Sequence, residues 1–292
     1  MALAWLALII GNTRLHWGYF YQERFIGAWH TPHIALPNAT QLAAGNFRAE
    51  AWAQQLPSWY AQLSHSQRQW LPTDTRSPSA LWIASAVSQQ TTLWQTAAPH
   101  ARSISRSQIS ISHLYETIGI DRAINLLGAG TTVGWPALVI DGGTALTLTA
   151  GISQEEPKQP AAPGSLGRFY GGAILPGLRL QREALADKTA TLAAFVQTTD
   201  GKGEETLPPR WATKTSEAIA SGLLYGLAAT LADYITAWWQ QFPNGAVIVT
   251  GGDAPQIHRV LQQRTPEIAS RVQLNPALMF YGMATCRSAQ LA

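Results

Sequence analysis

The sequence predicts an α/β fold of two similar domains facing each other across a cleft, and three observations carry that reading. At 292 residues the chain is about twice a typical ~150-residue domain. Short apolar strands alternate with segments of helical periodicity along most of its length. The opening stretch, LALIIGNTRLHWG at Leu6 to Gly18, has a counterpart in PALVIDGGTALTLTA at Pro136 to Ala150, which repeats its plan of apolar strand, glycine turn and second strand. With Gly11 laid on Gly143, Leu8 matches Ile140, Ile9 matches Asp141 and Asn12 matches Thr144. A repeat of this kind suggests two domains that each offer a glycine turn to one phosphate chain, although two ordinary hairpins can coincide by chance. The boundary is expected near residue 133, giving domains at 1–133 and 134–292.

Taken in order, Ala4 to Ile10 and Leu15 to Phe20 read as strands around the GNT turn, with a third at Phe25 to Trp29. Phe47 to Leu63 reads as a helix, and a polar segment holding Pro72 and Pro78 leads to a buried strand at Leu81 to Ser88. Thr91 to Ala98 is expected to be helical, Gln108 to Ser112 a short strand, and Asp121 to Gly128 a helix with Asp121 and Arg122 in its first turn. After the second hairpin, Ile152 to Arg168 reads as a long solvated loop. The glycines and Pro176-Gly177 of FYGGAILPG then punctuate entry into a helix. Thr215 to Trp239 is a long amphipathic helix, and VIVTGGDA, Val247 to Ala254, is a strand ending in a glycine pair where a ligand can approach the backbone closely.

Composition narrows the function classes. Twenty basic residues balance 17 acidic ones and are scattered, so no nucleic-acid footprint is indicated and a small-molecule partner fits better. The single Cys286 excludes an internal disulfide, has no partner at zinc-ligand spacing, and suits a reducing cytosol as a buried thiol. MALAWLALII is far short of the roughly 20 residues of a membrane span and lacks a charged leader. It reads as a buried strand, and no other run is read as a span, so a cytoplasmic protein without membrane partners is expected. The 12 Trp residues, such as Trp52, Trp59 and Trp70, read as packing residues.

Together, GNT, the GxDR of Gly119-Ile120-Asp121-Arg122, the DGGTALT of Asp141 to Thr147, GGAILPG and TGGDA resemble the type III pantothenate kinases in order and spacing along nearly the whole chain. Singly these motifs are weak; five in order are specific. The resemblance implies two ribonuclease-H-like (actin-like) domains around an ATP cleft, and transfer of phosphate from ATP to pantothenate, the first step towards coenzyme A. It implies Mg2+ with ATP, a monovalent cation (K+ or NH4+), and a homodimer. By position, Asp121 matches the family's proton acceptor, and Gly119, Ile120, Asp121, Arg122 and Thr215 its pantothenate contacts. Ile9, Ile10, Gly11, Asn12, Thr13, Arg14, Leu15, His16 and Thr144 match ATP contacts, Gly251 and Gly252 the adenosine end, and Asp141 the cation ligand.

These residue types suit that chemistry. Phosphoryl transfer passes through a loose transition state, so positioning and charge neutralisation outweigh the base. Asp121 can take the hydroxyl proton late while Arg122 holds a carboxylate, and Asp141 offers a hard cation an oxygen donor. Plainer roles exist for each: Asp121 as a helix cap, Asp141 as a brace for its own turn, the glycine pair as a tight turn. The chain also departs from the family pattern, with Ile9 where an Asp stands two residues before the GNT glycine, Lys214 where an Asn often precedes Thr215, and Ser112 near an expected tyrosine. Two other readings therefore stand beside the kinase: a catalytically weakened ligand-binding protein, or another small-molecule kinase on the same fold.

Overall fold

A computed structural model of the chain describes residues 4–73, 78, 80–154, 164–189, 191–196 and 206–291. Most of the expected loop after Ile152 and part of the polar segment after Pro72 lie outside the described residues. The chain divides into two units, one running to Thr131 and completed by the segment from Ala277, the other spanning Thr132 to Pro276.

The first unit opens with a meander of β1 (Ala4–Ile10), β2 (Leu15–Tyr21) and β3 (Arg24–Thr31). Helices α1 (Leu36–Ala44), α2 (Ala49–Gln55), α3 (Pro57–Gln62) and α4 (His65–Arg68) follow, then β4 (Leu81–Ser85), α5 (Ser88–Ala97), the short strands β5 (Arg102–Ser103) and β6 (Ile111–Ser112), and α6 (Ile120–Thr132). The single helix expected over Phe47 to Leu63 is instead two. Leu56 leaves helical geometry at φ −135° and ψ 60° because the Pro57 ring crowds the preceding residue out of the α region.

The second unit repeats the plan with β7 (Ala137–Gly142), β8 (Ala145–Ile152) and β9 (Gly167–Pro176), then α7 (Leu178–Lys188), α8 (Ala193–Val196), α9 (Thr215–Gln241), β10 (Ala246–Thr250), α10 (Ala254–Arg264), α11 (Pro266–Ala269) and β11 (Val272–Leu274). The Gly171-Gly172 pair, expected at a helix entrance, lies inside β9 opposite Ala150 and Thr149. The first sheet runs β3-β2-β1-β4-β5, and the second holds β9-β8-β7-β10-β11 in the same relative order. In both, the central strand pairs antiparallel with its hairpin partner and parallel with the strand beyond the helices. That is the ribonuclease-H-like arrangement, present twice.

All seven residues of β1 are buried, so both faces of the first sheet are covered. On one face Leu6, Leu8 and Ile10 meet a tryptophan cluster in which Trp17 packs edge-on against Trp52 and Trp94 at centroid distances of 5.1 and 5.0 Å. The indole N–H groups of Trp17 and Trp52 donate to Thr31 Oγ1 at 3.1 Å and the Phe47 carbonyl at 2.8 Å, so their burial strands no donor. The other face is covered by the last helix, α12 (Leu278–Leu291), which the sequence places in the second domain but which belongs to the first unit. Phe280 fills the space that a side chain at Gly18 would occupy, and the buried Arg287 lies over Trp5 and pairs with Glu23 at 2.7 Å. Cys286 is buried there, and that burial pushes its thiol up to about 12, which makes it inert at neutral pH.

Helix α9 corrects a second expectation, since its 27 residues are long and apolar enough by length and composition to cross a membrane. Half of the apolar window is buried in the protein, and Ile219, Leu223, Leu227, Leu231 and Ile235 face the core of the second unit. The apolarity reflects a core helix against a sheet.

Helices α6 and α12 meet backbone to backbone. A Cβ at Gly128 would lie 2.2 Å from the Leu278 carbonyl oxygen, and one at Gly282 would lie 2.0 Å from that of Ile124. Backbone on both sides leaves nothing flexible to yield. Gly282→Ala is therefore expected to destabilise the protein by about 1–3 kcal/mol, the usual cost of overpacking, whereas Gly222→Ala, which meets nothing within 4 Å, is expected to be neutral or better in urea unfolding.

Candidate functional site

The first hairpin closes over Gly11 to Arg14, with the Gly11 amide donating to the Arg14 carbonyl at 3.0 Å. Ile9, Ile10 and Leu15 are buried, so of the stretch from Ile9 to His16 only Gly11, Asn12, Thr13, Arg14 and His16 present side chains or turn backbone to a ligand. The ring of His16 stands beside the turn, its Nε2 3.5 Å from where a Gly11 Cβ would be. His33 donates from Nε2 to the Gly11 carbonyl at 2.9 Å and so fixes the turn from its far side.

Asp121 lies in the first turn of α6, and its Oδ1 accepts the Arg122 amide at 2.8 Å. Oδ2 takes no hydrogen bond from the described residues and stays available. A side chain at Gly119 would collide with Oδ1, at 2.4 Å, which explains the glycine of the GxDR motif. The buried Arg122 directs Nη1 to the Tyr115 hydroxyl at 2.6 Å. Tyr115 was not singled out from sequence; it stands three residues beyond Ser112, near which a tyrosine was expected, and Ser112 itself is buried. Tyr115 lies between the turn at His113, at φ 60°, and the start of α6.

In the second unit Asp141 sits near the end of β7, in register with Thr250 of β10 and Thr147 of β8. Thr250 is fully buried and its Oγ1 has no hydrogen-bond partner. Gly251, at φ 88°, brings its backbone against the pair: a Cβ there would lie 2.2 Å from Asp141 Oδ1 and 2.4 Å from the Gly142 carbonyl. The Asp141 carboxylate, the orphaned Thr250 hydroxyl in register with it and the Gly142 carbonyl of the next residue, which also accepts the Asp253 amide at 2.9 Å, are all oxygen donors, a chemistry that fits a hard cation. Among the described residues, no three His, Cys, Asp or Glu side chains are grouped as a metal centre. The Gly143-Thr144 turn is backed by Gly177, whose amide donates to the Thr144 carbonyl at 3.0 Å and whose missing side chain leaves room for the Gly143 carbonyl. Gly252 is exposed with open space beside it, and Thr215 begins α9, exposed.

The structure thus groups the opening turn with His33, Gly119 to Arg122 with Tyr115, and Asp141 with Thr250 and Gly251. Gly251→Ala must lose both the positive φ and the contact with Asp141, and the variant is expected to unfold at clearly lower urea concentration than Gly252→Ala.

The family described as type III pantothenate kinase matches residues 5–237. Proteins named type III pantothenate kinase are 38% identical over 281 residues in Nostoc sp., covering 96% of this chain and 93% of that protein. In Thermosynechococcus vestitus one is 36% identical over 285 residues, covering 97% and 90%. Among solved structures, a Baf family transcriptional activator from Campylobacter jejuni superimposes with a TM-score of 0.53 at 12% identity, covering 98% of both chains, a likeness of fold. On the match over most of its length, this chain belongs to the type III pantothenate kinase family.

Proposed function

We propose that this protein transfers the terminal phosphate of ATP to the primary hydroxyl of pantothenate, giving 4'-phosphopantothenate. The observation that carries the reading, beside family membership, is Asp121: a carboxylate at a helix start with one oxygen engaged by backbone and the other open, next to an arginine held by Tyr115. Fixed in this way, Oδ2 accepts the hydroxyl proton as the nucleophile reacts, and no reorganisation is needed at that moment. By their match to the family pattern, Arg122 and Thr215 are our candidates for pantothenate contacts, the guanidinium being suited to the substrate carboxylate. By their match to the family pattern, Gly11 to Arg14, Thr144, Gly251 and Gly252 are our candidates for nucleotide contacts.

The divalent ion, Mg2+ carried by ATP, supplies charge neutralisation on the phosphates. The family implies ATP and a divalent metal. The oxygen set of Asp141, Thr250 and the Gly142 carbonyl is our candidate for a monovalent cation, K+ or NH4+. We further propose a cytoplasmic homodimer, with α9 as the contact, because that helix buries one face and leaves Tyr234 exposed.

With Mg2+ and K+ present, purified protein is expected to release ADP in a pantothenate-dependent way. Asp121→Asn should lower turnover by about 10²–10⁴-fold while leaving thermal unfolding unchanged, and a variant keeping most of its activity refutes the assignment. Asp141→Asn is expected to abolish stimulation by K+ while Asp121→Asn keeps what activity it has K+-dependent; equal K+ response in wild type and Asp141→Asn places the cation elsewhere.

A further inference from the structure

In the second unit the loop entering α9, the middle of α9 and the end of α10 meet at a cluster of one tyrosine and two arginines, none of them assigned to the reaction. The Cζ of Arg210 lies over the Tyr225 ring at 4.3 Å from its centroid, and the Cζ of Arg264 lies over the same ring at 5.0 Å. Arg210 belongs to the loop, Tyr225 to α9 and Arg264 to the last turn of α10. Three hydrogen bonds hold these segments together. The Ser221 hydroxyl donates to the Arg210 carbonyl at 3.0 Å, and the Tyr225 hydroxyl to the Pro208 carbonyl at 3.2 Å. The Leu207 amide donates at 2.9 Å to Oε1 of Gln263, the residue before Arg264. The backbone under both arginines is therefore fixed by neutral bonds that leave the guanidinium groups unused.

One guanidinium over an aromatic face is an ordinary packing contact, because the face of the ring is electronegative. A second on the same ring is different, since the two share one quadrupole and their like charges repel. Among the described residues nothing offsets that repulsion: neither guanidinium has a hydrogen bond or an ion pair there. Glu217, about two turns before Tyr225 on α9, is engaged by Lys214 at 3.0 Å. Both arginines are exposed, so their N–H donors stay open to a ligand. Each planar fork matches a pair of carboxylate or phosphate oxygens, and a single carboxylate fills only one fork. A diphosphate has a set of oxygens for each.

We propose that Arg210 and Arg264, aligned by Tyr225, form a binding site for a diphosphate group. The site is separate from the candidate reaction residues of the same unit. Tyr225 stands ten residues along α9 from Thr215, and Arg264 ten residues along α10 from Ala254 beside the Gly251-Gly252 turn, each about 15 Å at the helical rise. A diphosphate held there bridges the loop, α9 and α10, and so ties together the two helices that begin at those candidate residues. The bridge needs little ordering of backbone, because the hydrogen bonds to Arg210, Pro208 and Gln263 are already made. The proposal uses no residue assigned to ATP or pantothenate and does not rest on the kinase reading.

NMR of protein isotope-labelled at arginine, with the side-chain Nε–H signals assigned through Arg210→Gln and Arg264→Gln, tests this in a titration with pyrophosphate in EDTA. In the wild type both signals are expected to shift along one saturating curve, and Arg264→Gln to weaken the affinity read at Arg210 about tenfold. Sodium chloride at matched ionic strength controls for screening, and unchanged thermal unfolding shows that the exposed substitutions leave the fold intact. ADP separates the two sources of the group. A shift of both signals by ADP as well as by pyrophosphate assigns the site to diphosphate esters, and a shift by pyrophosphate alone assigns it to the free anion. Wild-type signals that stay still, or that move equally with sodium chloride, would overturn the proposal. So would an unchanged affinity at Arg210 in Arg264→Gln, because one arginine would then suffice. The readout is local to these two side chains, so none of these results bears on Asp121 or on the nucleotide turns.

Discussion

The backbone contact between α6 and α12 is the constraint on which the first unit depends. Gly128 and Gly282 let the two helix axes approach until each glycine faces a carbonyl of the other helix. Contacts this close have no side chain to absorb an error, so they set the position of α6 tightly. That position matters because α6 begins with Asp121 and Arg122. A helix places its first turn by where its middle is packed, and here the middle is Gly128. The same contact explains why the last segment of the chain returns to the unit that began it. Phe280 over Gly18 and the Arg287–Glu23 ion pair then hold α12 against the meander.

The two units show how one topology can carry different chemistry. Their sheets share strand order and pairing, and their hairpins share a glycine turn. Their loops differ by one residue: Gly11 to Arg14 separates the paired Ile10 and Leu15, whereas Gly143 to Ala145 separates the paired Gly142 and Leu146. The longer first loop carries Asn12, Thr13 and Arg14 to the surface, while the second is backed tightly by Gly177.

The plainer roles considered for the acidic residues also find their place. Asp121 does engage a backbone amide at its helix start, as a capping residue would, but with one oxygen only, and the capping contact orients the other. Asp141 packs closely against the Gly251 turn, and the pairing of β7 with β10 sets the Thr250 hydroxyl in register with it. Structural and chemical roles coincide because a carboxylate has two oxygens.

Local pattern by itself determined the duplicated hairpin, the register of Ile9 with Asp141, the strands of the meander and the family. Each is written in short-range periodicity, in glycine placement or in motif order, which a linear reading can see. The break at Leu56 was legible too, since Pro57 announces it, but the helical pattern on both sides masked it. What only the tertiary structure decided are contacts between distant segments. The return of α12 to the first unit rests on a glycine pair separated by most of the chain. The Tyr115–Arg122 bond depends on how a turn at His113 aims a side chain, and the His16–His30 pair on strand register. Burial decided the rest: α9 has the composition of a membrane span and the packing of a core helix, and composition cannot tell lipid from protein as the apolar neighbour.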